Sequence, residues 1–210
     1  MGYTGYEMDT TFLQEEHHTN PRRLYSTTGA DWQLRVDHER LRYERLERAR
    51  AEMANDDLGA LVVFAGANIR YITGSYQGNW KYNINIRYAV LCRDAEPVLF
   101  ETAGSDLQCA IIDLPWMKDR IRPAMTWQWA EGAVGEMADK MVASILDVLK
   151  ENGVEKEKIG VDNFDLPALH AFEKAGINVV NGWPAFSRAR TVKTRDEIEL
   201  LKQASSIGDA

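Results

Sequence analysis

Apolar residues recur along the chain in two periods, one suited to helices and one to strands. From Asp37 to Met53, Leu41, Leu46, Ala49 and Met53 fall on one side among dense charges of both signs, which predicts an amphipathic helix ended at Asn55-Asp56-Asp57. Leu58 to Ala65 is an unbroken apolar run rich in β-branched residues, the pattern of a strand covered on both faces. Tyr88–Arg93 and Glu96–Glu101 read as two more strands joined at Asp94-Ala95, a hairpin turn without glycine, with Pro97 marking a strand start or an edge. Ala103 to Ile112 is helix-like, Pro115 interrupts it, and Ile121-Arg122-Pro123 reads as a short strand.

The second half alternates more regularly. Met137, Met141, Ile145 and Leu149 recur at every fourth position between Gly135 and Asn152, with Gly153 beyond as a C-terminal cap. Lys158–Asp162 reads as a strand, Asp165 as the cap of a helix over Pro167–Ala175 closed by Gly176, and Ile177–Val180 as the next strand. The sum is an α/β fold: a mixed β-sheet flanked by helices, antiparallel at the hairpin and parallel where helices cross over. Residues 1–36 form a polar, aperiodic arm, and Tyr3, Tyr6, Phe12, Leu13, Leu24, Tyr25 and Trp32 suit it to lying against a partner or second subunit.

Composition narrows the classes of function. The 25 basic and 32 acidic residues give a net charge of −7 with no basic run longer than a pair, which argues against nucleic acid and anionic membrane as partners. No apolar stretch approaches the roughly 20 residues of a membrane span, and the N-terminus lacks the basic start and apolar run of a signal peptide. Cys92 and Cys109, each inside an apolar or helix-like run, read as buried free thiols, consistent with a reducing cytoplasm. The His17-His18 pair diverges in direction and has no third ligand beside it, so it reads as solvated rather than metal-binding.

The last segment carries a motif. Thr194 and Glu197 stand in capping-box spacing ahead of an apolar stripe at Ile198, Leu201 and Ala204, so a new helix begins there. Together with Asn68-Ile69-Arg70-Tyr71-Ile72-Thr73-Gly74 after the first strand, the run Arg190-x-Val192-Lys193-Thr194-x-x-Glu197-Ile198 resembles the boundaries of the N-terminal domain of creatinase, prolidase and Xaa-Pro aminopeptidase. The resemblance covers about residues 38 to 205. It implies a ribonuclease-H-like creatinase N-terminal domain over 37–190, with 191–210 as linker and first helix of a pita-bread catalytic domain that is absent from this chain. It also implies a homodimer, and an enzyme that hydrolyses Xaa-Pro bonds in peptides or acts on a small molecule, as creatine amidinohydrolases and dimethylsulfoniopropionate lyases do.

By that resemblance the metallopeptidase chemistry, with a divalent metal (Mn, Co, Fe or Zn) as cofactor, lies beyond Glu197, where this sequence holds only Glu199 and Asp209 as acidic residues and no His. No catalytic or metal-binding residue is therefore expected in this chain, and no turnover by it alone. Three residues are implied as substrate-binding in the neighbouring subunit: Arg87, whose planar guanidinium suits a carboxylate, and Trp80 and Tyr82 as walls of the pocket. They stand in or just beyond a Gly- and aromatic-rich segment, the kind of rim from which function is exercised.

Plainer readings stand beside these. Arg87 suits an ion pair with a surface acid, Trp80 suits packing, and Asn68 suits capping a turn while Ile69 and Tyr71 enter the core and Arg70 is solvated. The four Trp at 116, 127, 129 and 183 suit core packing or an interface. A freestanding binding or scaffold protein of the same fold is the alternative to an enzyme domain. A nuclease would need clustered acids, and Asp162, Asp165 and Glu101 are scattered in sequence.

Overall fold

The computed structural model describes residues 36–75 and 86–208. The expected N-terminal arm, His17-His18, Trp80 and Tyr82 lie outside the described residues. The chain divides into two compact units, residues 42–192 and, among the described residues, 36–41 with 193–208.

In the larger unit a six-stranded sheet takes the order β4-β3-β2-β1-β5-β6. The strands are β1 (Leu58–Val63), β2 (Tyr88–Cys92), β3 (Val98–Glu101), β4 (Ile121–Pro123), β5 (Lys158–Val161) and β6 (Val179–Asn181). β1–β2 and β2–β3 are antiparallel, while β3–β4, β1–β5 and β5–β6 are parallel, so the mixed sheet is as the sequence predicts. Pro97 precedes β3, which is an interior strand, so of its two readings the strand start holds.

Two helical layers cover the sheet. On one face Ala60, Val62, Tyr88, Val90 and Phe100 pack with α4 (Val134–Glu151) and α5 (Leu166–Lys174). On the other, Leu58, Leu61, Val63, Ala89, Leu91 and Leu99 meet residues of α1 (His38–Asn55), α2 (Gly66–Thr73), α3 (Ser105–Asp113) and α6 (Trp183–Thr191). Strict alternation would place Leu58 and Leu61 on opposite faces. A register irregularity between Leu58 and Ala60 brings them together, and at Gly59 within it a Cβ would stand 2.6 Å from Glu157 Cβ. β5 can approach the chain after β6 because both carry glycine: a Cβ on Gly182 would lie 2.7 Å from the Gly160 carbonyl carbon.

Several expectations are corrected. The segment after β1 is a two-turn helix, so Asn68 sits inside α2 rather than capping a turn. Trp183–Thr191 is a helix that the residue pattern did not announce. In α4 the buried stripe is Ala138, Met141, Val142, Ile145, Val148 and Leu149, and Met137 only borders it. Cys92 is buried, but Cys109 is exposed. The tryptophans divide: Trp127 is fully buried, Trp116 is half-buried under the Arg42 guanidinium, and Trp129 and Trp183 are exposed.

The smaller unit holds the start of α1 and helix α7 (Arg195–Gly208). The capping box forms: Thr194 N–H donates to Glu197 Oε2 at 2.9 Å, and Glu197 N–H to Thr194 Oγ1 at 3.1 Å. Asp196 joins the two segments, accepting from the Asp37 amide at 3.1 Å and from Arg40 Nε and Nη2 at 2.8 Å each. Ile198 and Leu201 are exposed.

Candidate functional site

Arg87 lies immediately before β2, and it points inward. Its side chain is 2% exposed, not on the rim that its neighbours in sequence suggested. Nη2 stands 2.8 Å from Glu101 Oε2 on β3 and donates to Ser75 Oγ at 2.6 Å. The acid expected for Arg87 therefore exists, but it is a buried one, 0% exposed. Glu101 Oε1 accepts from the Thr102 amide at 3.0 Å, and Thr102 Oγ1 donates to the Ile86 carbonyl at 3.1 Å. On the other side, Ser75 N–H donates to Thr73 Oγ1 at 3.0 Å, and that hydroxyl donates to the Ile69 carbonyl at 2.7 Å. Burial lowers the Arg87 pKa against the pull of Glu101, and raises that of Glu101 against the pull of Arg87.

A second polar cluster sits where β1 runs into α2. Asp162, just past β5, accepts from the amides of Phe64 at 2.8 Å and Ala65 at 3.1 Å and from Asn68 Nδ2 at 2.8 Å. Asn68 Oδ1 accepts from Arg190 Nη1 at 2.8 Å, and Tyr71 Oη donates to the Ala189 carbonyl at 3.0 Å. Burial raises the Asp162 pKa even against these donors. Asp165 caps α5 through the Ala168 amide and also accepts from Trp127 Nε1, at 3.0 and 2.8 Å to its two oxygens.

Each of the three acids weighed for a nuclease thus has a local structural partner, and they do not converge. Among the described residues no group of three or more His, Cys, Asp or Glu could hold a metal ion. A cavity of about 580 Å³ opens beside β6 and α5, with Phe164, Phe172 and Ile177 among its lining and Asn163, Asn178 and Glu173 supplying polar groups. Asp162 also lines it, with its carboxylate already accepting from the Phe64 and Ala65 amides and from Asn68. Among the described residues no helix is long and apolar enough to cross a membrane.

Of the three expected substrate-binding residues, the described structure contains only Arg87, and it adds Ser75 and Glu101 as its partners. In the sequence Glu101 counts only as a scattered acid and Ser75 is not singled out, and neither is linked to Arg87.

Comparison with known proteins supports the same architecture. The chain is 25% identical over 170 residues to the dimethylsulfoniopropionate lyase DddP of Roseovarius nubinhibens, covering 80% of this chain and 38% of that protein. It is 26% identical over 147 residues to the DddP of Roseobacter denitrificans, covering 69% and 32%. The chain thus spans well under half the length of these relatives. In fold it is similar to an Xaa-Pro dipeptidase from Bacillus anthracis, with a TM-score of 0.57, 15% identity and coverage of 80% of this chain and 41% of that one. A prolidase from Thermococcus sibiricus gives 0.55 at 19% identity, covering 83% and 42%. The family model described as the Creatinase/Prolidase N-terminal domain matches residues 45–192, which is most of the chain, and the chain belongs to that family.

Proposed function

We propose that this chain is the non-catalytic N-terminal domain of a longer, metal-dependent cytoplasmic enzyme, serving dimerisation and the shaping of the partner subunit's active site. The observation that carries the reading is one of proportion: the family model takes up residues 45–192, while the chain covers only 38% and 32% of the curated relatives. The metal, a divalent Mn, Co, Fe or Zn ion, belongs to the remainder of the enzyme. Both cysteines are free thiols, which agrees with a reducing compartment.

Within this reading Trp80 and Tyr82 wall the neighbour's substrate. Arg87, the third residue of this set, is buried in the described structure with its charge matched by Glu101. The substrate is either an Xaa-Pro peptide or a small sulfonium zwitterion such as dimethylsulfoniopropionate. The two lyase relatives favour the zwitterion, and the face of an indole attracts its cationic sulfonium group. The hydrolase reading rests on the dipeptidase and prolidase fold neighbours. Light scattering on the purified enzyme, with Trp80→Ala and Tyr82→Ala assayed on Gly-Pro and on dimethylsulfoniopropionate, tests the assignment. Intact dimers with lowered turnover are expected; unchanged turnover removes the role in the partner's site.

A further inference from the structure

We propose that the free edge of β6, with the groove between it and α5, takes up an extended peptide carrying basic and apolar side chains, which adds to the sheet as a further strand. β6 is an outermost strand, and every residue from Ile177 to Asn181 lines the cavity of about 580 Å³ beside it. On its inner side Ile159 N–H donates to the Asn178 carbonyl and Gly182 N–H to the Val161 carbonyl, at 2.9 Å each. Alternate residues of a parallel pair face the neighbour, so the Val179 carbonyl and the Asn181 N–H and carbonyl face the open edge.

The two edges of the sheet differ. At the other, β4 carries Arg122, paired with Glu151 at 2.8 Å, and Pro123, which has no N–H to offer an incoming strand. β6 reads Val-Val-Asn and has neither device. The residues that line the groove, Ile177 to Asn181, match roughly 16 Å of extended chain, a longer template than β6 alone.

Floor and rim define the partner's chemistry. Phe164, Leu169, Phe172 and Ile177 offer apolar surface to every second side chain of an added strand. The charged groups of the lining are Asp162 and Glu173, with no Lys, Arg or His. Asp162 accepts from the Phe64 and Ala65 amides and from Asn68, whereas Glu173 is exposed and, among the described residues, has no ion-pair partner. A cationic side chain is therefore favoured at the α5 rim and an anionic one is repelled.

The probe is a capped, fluorescein-labelled heptapeptide in which lysine, valine, valine and lysine alternate with serine, titrated into the 210-residue protein and followed by anisotropy. Saturable binding is expected. Methylating the peptide nitrogens separates strand addition from unaligned apolar contact, because alternate amides face opposite edges. Blocking one alternate set is expected to weaken binding at least about tenfold, and blocking the other, which faces solvent, by less than about twofold. Glu173→Gln is expected to weaken it about threefold. No saturable binding, equal loss from both methylated sets, or equal affinity for a peptide with glutamate in place of lysine overturns the proposal. So does displacement of the peptide by n-butylamine, which would make the groove a small-amine site. A self-associated protein that the peptide dissociates would make β6 the seat of a second copy, and overturns it too. None of these outcomes bears on the domain's place in a longer enzyme.

Discussion

Arg190 Nη1 donates to Asn68 Oδ1 at 2.8 Å, across 122 positions of sequence. The two motifs that mark the start and end of the domain therefore touch. Asn68 is 0% exposed and spends its amide on Asp162, so it links α2, α6 and the end of β5. Asn68→Ala withdraws a donor from a buried carboxylate and an acceptor from a guanidinium, and is expected to lower stability by about 2–3 kcal/mol in urea unfolding. Asn68→Asp should cost more, because it sets a second carboxylate against Asp162, and the difference should shrink as pH falls.

Trp127 offers a cleaner separation of packing from hydrogen bonding. Its ring stands edge-on to Phe64 with centroids 6.0 Å apart, and its Nε1 donates to Asp165. Trp127→Phe keeps most of the apolar contact and loses the charge-assisted bond, for an expected loss of about 1.5–3 kcal/mol. Trp127→Ala adds a cavity and should cost about 3–5 kcal/mol. Thermal unfolding followed by circular dichroism measures both.

Alkaline stability should fail through two buried acids. Burial pushes Tyr88 up from 10.0 to about 12 even though Ser144 shares its hydroxyl bond. Burial, with Glu151 adding to it, pushes Cys92 up from 9.0 to about 12. Both folded values are raised, so both groups contribute stability that is complete below their unfolded values and is lost as pH rises through roughly 9 to 12. Tyr88→Phe should flatten part of that decline in a pH series of urea midpoints, and the absorbance of wild-type tyrosinate should show one tyrosine ionising last.

Two aspartates should titrate in opposite directions. Burial works against the charged form of Asp196, but Arg40 and the Asp37 amide outweigh it and hold the pKa below 3.8. Its stabilising contribution is present above 3.8 and is lost as pH falls through the folded value. For Asp162 burial prevails and the pKa lies above 3.8, so its contribution is present below 3.8 and is lost as pH rises through the folded value. Carboxyl carbon shifts in an NMR titration should place the two midpoints on either side of 3.8, and Arg40→Met should raise that of Asp196 alone.

The residue pattern announces elements whose signals are local. The β1 run, the β2–β3 hairpin, α4, the Asp165 cap and the Thr194–Glu197 box all lie within a few residues of their causes. Helix α2 was not legible because no side chain caps its start. Asp162 receives the amides of Phe64 and Ala65 there instead, from 98 and 97 positions away, and no sequence window contains that partner. The same holds for Arg87: an aromatic, glycine-rich neighbourhood pointed to a rim, while its inward turn depends on Glu101 from β3. No pattern in the sequence singles out Asp196, whose fork with Arg40 spans 156 positions.

The claim that this chain is a domain without its own catalysis is tested most directly by turnover. The purified 210-residue protein should be incubated with Mn²⁺, Co²⁺, Fe²⁺ or Zn²⁺ and with Gly-Pro, Ala-Pro or dimethylsulfoniopropionate. No product above the metal-only control is predicted, and metal-dependent turnover that follows the protein through purification would contradict the account.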